Sequence, residues 1–540
     1  VRAAANVLLA EGCQAVCVFF INGYANAANE QAAVAAVRAL WPTPYVTAAT
    51  EILPEIREFE RCSTATLNAY LQPVVASYLD RLKSGLEGRG SNADVLIVQS
   101  NGGVMDVDIA QQFPVRTTLS GPAAGVIAAR HIGAAAGFQD IITCDMGGTS
   151  FDVSLVTGGQ SALAAQTQID FGMVVRTPMV EISTIGAGGG SIAHIDAGGL
   201  LAIGPQSAGS DPGPVAYGLG NDQPTVTDAN LILGRINPDR PIGGKLARLD
   251  VEAARAAMDT QIARPLGLSI ENAAEAIVRV ANAKMAGAIR LVSVERGHDP
   301  KGFAAMPFGG GGALHTGALM REIGLGAAIV PRYPGVTSAL GCVVADMRLD
   351  IVQTVNMGLD VLDADALSAR IEAQASAFET TLAASDAVLT GTSRVIDLDM
   401  LYLGQTHTVS VPMSGPISQD AIRAAFEKTY SETYGRLLPG IGMKVVNLRV
   451  AVIGHRPELD LSALAPVAGK TLDQCKLGQR EIWSEGSAQS AQIYERLDLP
   501  VGAEIVGPAL LEQPDTTIFV DPGLVGVVDA LGNLIIRENA

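Results

Sequence analysis

The sequence predicts an α/β protein, and three observations carry that prediction. Short apolar, β-branched runs alternate with amphipathic helical stretches through the first part of the chain. Two glycine clusters follow directly on apolar runs: Gly147 and Gly148 after "IITCDM", and Gly309, Gly310, Gly311 and Gly312 after "AAMPF". The composition, 48% hydrophobic and only 17% charged over 540 residues, provides for a large core and two to four domains.

Taken in order, "CQAVCVFFI" (13–21) reads as a strand leading through a loop into an Ala-rich helix, and "PYVTAATEI" as a further strand. "FERCSTATLNAYLQPVVASYLDRLKSGLEG" predicts a long helix with Leu67, Leu71, Val74, Tyr78 and Leu82 at helical spacing. "EIREFER" places Glu58, Glu60 and Arg61 at its start, where ion pairing is the expected role. "DVLIVQSNGG" predicts a buried strand ending in an Asn-Gly turn. From 141 the pattern becomes strand, turn, strand. It is followed by a Gly/Pro-rich zone at 186–224, expected to be a functional loop or lid. Residues 269–297 predict a helix capped by Ser269 and stopped by Gly297. The run "AAMPFGGGGALHTGALM" predicts strand, glycine loop, helix. After 350 the texture shifts to a helix near 361–386, alternating strands, a helix near 417–433 and more strands. Domains are therefore expected over 1–115, 116–349 and 350–540, the last a smaller α+β domain.

A net charge of −18 and a pI near 4.8 argue against a nucleic-acid partner. No run approaches the ~20 uninterrupted apolar residues of a membrane span. No charged segment with an apolar core opens the chain as a secretion signal would, and the expectation is a cytoplasmic protein without a membrane partner. The six cysteines show no CxxC spacing, which fits reduced thiols rather than a zinc or disulfide framework. The six histidines are dispersed, with no HExxH; His194 and His315 are the two that border glycine loops.

The chemistry concentrates in "DMGGTSFDVSL". A tight turn through Gly147 and Gly148 lets backbone N–H groups approach an anion, and Thr149 and Ser150 add hydroxyls. Asp145 at the strand end is placed to bind Mg²⁺ through water or to orient an attacking water. Alone, the motif also suits an ordinary β-hairpin. The cluster Gly309 to Gly312 opens a helix, whose free N–H groups favour a phosphate or a polar nucleotide edge. It lacks the G-x-G-x-x-G pattern and alone also suits a loose strand–helix loop. Together, the two loops with an amphipathic helix between them resemble the ATPase fold of actin, sugar kinases and heat-shock chaperones.

The resemblance narrows further. "SNGGVM", "SGPAAGVIAA", "DMGGTSFDVSL", "TIGAGGGSIAHID", "GPQSAGSDPGPVAYG", "TVTDANLILGR", "AIRLVSVERGHDP" and "FGGGGALH" occur in the order seen in the A-type subunit of the hydantoinase/5-oxoprolinase family. That family is related to acetone and acetophenone carboxylase subunits. The resemblance implies an ATP-dependent, ring-opening cyclic amidohydrolase using ATP and Mg²⁺, in which a cyclic amide oxygen is phosphorylated before water opens the ring. It implies a B-type partner subunit or domain and an oligomeric assembly.

By position, Asp145, Gly147, Gly148, Thr149 and Asp152 would clamp the phosphates, with Asp145 also on the metal, while Gly309 to Gly312 would border the adenosine. Gly186, Gly188 and Gly189 would line the cleft, and His315 is a further catalytic candidate. Where family chains often read G-P-L-H, this one has Gly312, Ala313, Leu314 and His315. The family's first phosphate loop has no counterpart ahead of Asp145, so an incomplete ATPase fold and weak activity of the isolated chain are expected, with the missing part either lost by N-terminal truncation or carried on another polypeptide. The alternatives are the phosphorylating subunit of an acetone- or acetophenone-type carboxylase and a chaperone-like ATP switch.

Overall fold

The computed structural model describes residues 1–91, 93–169, 172–466 and 469–539. The chain forms two compact units, both discontinuous in sequence: Val1–Gly121 with Leu163–Met179 and Ala345–Glu458, and Pro122–Ala162 with Val180–Val344 and Leu459–Ala540.

The second unit is built on a nine-stranded mixed sheet. Its centre is the hairpin Ile141–Met146/Phe151–Thr157, extended on one side by antiparallel Ser183–Ile185. On the other side lie Ala304–Phe308, parallel to Ile141–Met146, and then Ala327–Val330, also parallel. The α/β expectation holds, and the reason is visible in burial. Parallel strands are covered on both faces, so they read as continuous apolar runs rather than alternating ones. Ile141, Met306 and Phe308 face the helix Ser120–Ala135, whereas Ile142, Cys144 and Ala305 face the helix Ile270–Val292 through Ile277, Ala281, Met285 and Ile289. The small residues of "SGPAAGVIAA" permit this closeness: a Cβ on Gly125 would stand 2.8 Å from the Phe308 ring. Ser269 caps the helix Ile270–Val292 by accepting from Asn272 N at 3.2 Å. That helix stops at Val292, and a single 3-10 turn carries the chain to Gly297 at φ +82°.

The Gly/Pro-rich zone carries regular structure. It folds as the antiparallel pair Ser191–Ile195/Leu201–Ser207, held by the helix Val226–Ile232. A capping box starts that helix: Thr225 and Asp228 bond reciprocally, and the buried Asp228 carboxylate also accepts from Val215 N and Ala216 N.

In the first unit a six-stranded sheet runs in the order Val409–Met413, Gly391–Tyr402, Met443–His455, Met347–Gly358, Val104–Asp106, Leu96–Val98. The long helix is present as Glu58–Glu87, but its buried face differs from the one expected. Val74 and Tyr78 are exposed, and Ala65, Asn68, Ala69, Gln72, Ala76 and Leu79 are buried. The rotation has a polar cause, since Asn68 and Gln72 both donate to Gln112 O at 3.1 Å and Asn68 Oδ1 accepts from Val115 N. Arg61 is fully buried in an ion pair with Glu58 and stacks over Phe19, so the helix-start pairing holds.

The segment 350–540 is shared between the two compact units. Met347–Gly358 through His455 completes the first unit's sheet, whereas Leu534–Glu538, Leu524–Val528 and Glu504–Val506 prolong the second unit's sheet beyond Ala327–Val330. Among the described residues no helix is long and apolar enough to cross a membrane.

Candidate functional site

Both glycine clusters emerge from the second unit's sheet at neighbouring strand ends. Phe308 stands beside Asp145 in the parallel register, so the turn after Met146 and the loop after Phe308 open at the same edge. The carboxyl ends of parallel strands are where α/β sheets bind ligands.

The 147–150 turn closes with Gly147 N donating to Ser150 O at 3.1 Å. Its carbonyls are held from behind by the next glycine run: Gly189 N donates to Gly147 O at 3.0 Å and Gly190 N to Gly148 O at 2.6 Å. A Cβ on Gly188 would stand 2.6 Å from the Gly148 carbonyl, so only glycine allows this backbone-on-backbone contact. Gly188 N in turn donates to Ser191 Oγ at 2.9 Å, and Thr227 N donates to Gly189 O at 2.8 Å. Cβ atoms on Gly147 or Gly148 would meet nothing within 4 Å. With the carbonyls tied back, the N–H groups of Gly148, Thr149 and Ser150 donate to no acceptor among the described residues. Consecutive free N–H groups on a tight turn form an anion-binding concavity.

Two carboxylates border that concavity. Asp145 and Asp152 are direct partners in the antiparallel register and share a face of the hairpin. Burial, together with the charge of Asp152, pushes the pKa of Asp145 up to about 6. Burial also raises Asp152, opposed by hydrogen bonds from Thr184 and Ser150. A like-charged, half-buried pair is relieved by a cation, and Mg²⁺ is commonly held by one or two carboxylates with phosphate oxygens and waters completing the shell. The residues therefore fit Mg²⁺ brought in with a phosphate ligand. Among the described residues no cluster of three or more His, Cys, Asp or Glu forms a self-sufficient metal site.

Gly309 to Gly312 form a single helical turn leading to the helix Thr316–Ile323. Gly309 has φ +77°, and a Cβ there would lie 2.5 Å from both Asp145 Oδ1 and Met146 O. The second cluster is thus packed against the first. Thr516 Oγ1 donates to Gly310 O at 3.0 Å and anchors the turn, a contribution from late in the chain that no local pattern announces.

His315 does not join this constellation. It is 1% exposed, with Nδ1 2.6 Å from Asn282 Oδ1 and Nε2 unpartnered. Burial, together with the nearby Arg235 charge, drops its pKa to about 3. The ring lies in the core, held neutral against Asn282 of the helix Ile270–Val292. His194 lies on the strand Ser191–Ile195, paired with Ala202. Ser191 and Thr227, which fix the glycine run in place, are the residues that sequence reasoning missed. For Thr227 the signal was the T-x-x-D capping box of Thr225 and Asp228 in "TVTDANLILGR".

Comparison with known proteins places this geometry in a family. Residues 61–351 match Hydantoinase/oxoprolinase, and residues 390–538 match the Hydantoinase/oxoprolinase C-terminal domain. The chain is 35% identical to caprolactamase subunit alpha of Pseudomonas jessenii over 97% of this chain and 76% of that one. It is 32% identical to the acetophenone carboxylase gamma subunit of Aromatoleum aromaticum over 99% of this chain and 76% of that one. The crystal structure of the ATP-dependent caprolactamase from Pseudomonas jessenii superimposes with a TM-score of 0.86 at 34% identity, covering 100% of this chain and 79% of that one. The two family matches and the structural similarity across this chain agree with the order of the glycine motifs: this chain belongs to the hydantoinase/oxoprolinase family.

Proposed function

We propose that this chain is the ATP-binding, substrate-phosphorylating subunit of an enzyme that opens a cyclic amide by hydrolysis. The observation that carries the reading is the 147–150 turn, with three consecutive unengaged N–H groups beside the Asp145–Asp152 pair. It is supported by the likeness to a protein named caprolactamase subunit alpha.

ATP would supply the driving force: phosphorylating the carbonyl oxygen would turn a resonance-stabilised, weakly electrophilic amide into an imidate phosphate, water would add at its carbon with cleavage of the ring C–N bond, and a second water would displace inorganic phosphate from the acyl carbon. The N–H groups of Gly148, Thr149 and Ser150 would take phosphate oxygens, costing no reorganisation because the tied carbonyls already hold the turn. Asp145 and Asp152 would hold Mg²⁺, which neutralises phosphate charge. Gly309 to Gly312, packed on Asp145 and Met146, would border the nucleotide. A B-type subunit would complete the enzyme, in keeping with relatives that are themselves named subunits.

Asp145→Asn in the natural full-length protein, assayed with its partner, is expected to lower ATP-dependent lactam or hydantoin hydrolysis by about 10²-fold or more with the thermal midpoint little changed. Undiminished turnover would overturn the assignment. The second reading, a carboxylase subunit, is favoured by the 32% identity to the acetophenone carboxylase chain. ATP consumption that requires bicarbonate and a ketone, and is indifferent to cyclic amides, would select it.

A further inference from the structure

The first unit contains a partly open cavity of about 300 Å³, walled by Phe113, Ile351 and Phe378 among other apolar side chains. That volume is at the lower end for small-molecule sites, whose walls are mainly apolar with a few placed polar groups. Four charged side chains reach its lining: Glu51, Arg116, Arg176 and Asp350. Three of them are compensated. Glu51 pairs with Arg38 at 2.9 Å, Arg176 with Glu55 at 2.6 Å, and Asp350 with Arg348 at 2.8 Å while also accepting from Asn101 at 2.5 Å.

Arg116 is the exception. Among the described residues no carboxylate lies within ion-pair distance of it. Its one hydrogen bond goes from Nη2 to the Asp350 carbonyl at 3.4 Å, and its flat face rests on Phe113 at 4.8 Å. A guanidinium carries five donors and stays ionised, so most of its capacity is unspent. Burial pulls its pKa down, opposed by Asp350. Holding a cation there without a counter-charge is unfavourable unless an anion supplies it.

A second observation points the same way. Thr177, buried in the lining, has a hydroxyl with no partner. Gln99 is likewise buried with Oε1 unpartnered, its amide orientation fixed because Nε2 donates to Arg348 O at 2.7 Å. Unpartnered buried polar groups are uncommon in folded proteins.

We propose that this cavity is a binding site for a small monocarboxylate with an apolar body, its carboxylate held by Arg116 and the Thr177 hydroxyl, its hydrocarbon part against Phe113, Ile351 and Phe378. The proposal stands on this unit alone and does not depend on the nucleotide reading.

The test is calorimetric titration of the natural full-length protein with hexanoate and with hexanamide, its uncharged isostere. Hexanoate is expected to bind, and hexanamide to bind at least about tenfold more weakly, because a charge-assisted bidentate pair is lost. Arg116→Gln is expected to weaken hexanoate on the order of tenfold or more and to leave hexanamide unchanged. Thr177→Val, an isosteric change, is expected to cost hexanoate several-fold and decides the matter if Arg116→Gln does not fold. No hexanoate binding at millimolar concentration, equal affinity for both probes, or affinity unchanged in the folded variants would overturn the proposal.

Discussion

Asp145 is a carboxylate whose surroundings favour its proton, since burial and the facing Asp152 push its pKa up to about 6. A folded-state pKa raised above the usual 3.8 means that the group's contribution to stability is fully present below about 4 and is lost as pH rises through about 6. A bound cation reverses the preference. Thermal protection by Mg-ATP is therefore expected to grow as pH is raised from about 5 to about 7, and a protection flat across that window would show that Asp145 does not face the metal. Gly309 provides a second test. At φ +77° and with Asp145 Oδ1 2.5 Å from any Cβ, Gly309→Ala is expected to cost about 1–3 kcal/mol in denaturant unfolding and to weaken ATP binding. At this scale the sequence was informative for Asp145, Gly147, Gly148 and Thr149, because a turn between two buried strands restricts what those residues can do. It was uninformative for His315, since a loop-to-helix junction does not reveal that the ring turns inward to Asn282.

Elements follow the same division. The strands Ile141–Met146 and Ala304–Phe308 and the helix Ile270–Val292 were legible because uninterrupted apolar runs and an N-cap serine are local signals. The face of Glu58–Glu87 was not, because Asn68 and Gln72 bury themselves against Gln112 and turn Val74 and Tyr78 to solvent. Apolar spacing carries no record of such polar anchoring. Helix-on-helix closeness was hidden in the same way. A Cβ on Gly341, in Thr337–Val344, would stand 1.8 Å from Ala124 O in Ser120–Ala135. Gly341→Ala is expected to destabilise the protein by about 1–3 kcal/mol, read from the shift in denaturant midpoint at constant m-value. A neutral effect would mean that the two helices are farther apart than described.

At the scale of the whole molecule, neither unit is a continuous stretch of chain. The boundary expected near 350 reflects a real change in texture, but strand pairing across some 200 residues, as between Ala328 and Ile536, assigns the last strands to the sheet that carries the glycine turns. Such long-range pairing has no sequence period to betray it. The family, by contrast, was legible from the order of its glycine motifs and is confirmed by matches over 61–351 and 390–538. The proposed function makes one central claim, that ATP is spent on the amide oxygen itself. The most direct measurement uses a cyclic amide substrate labelled with ¹⁸O in its carbonyl, turned over with ATP in unlabelled water by the natural full-length enzyme. If that oxygen is phosphorylated and then displaced by water, the inorganic phosphate released will carry the ¹⁸O and the new carboxylate will retain little. Label remaining wholly in the carboxylate, with unlabelled phosphate, would contradict the account.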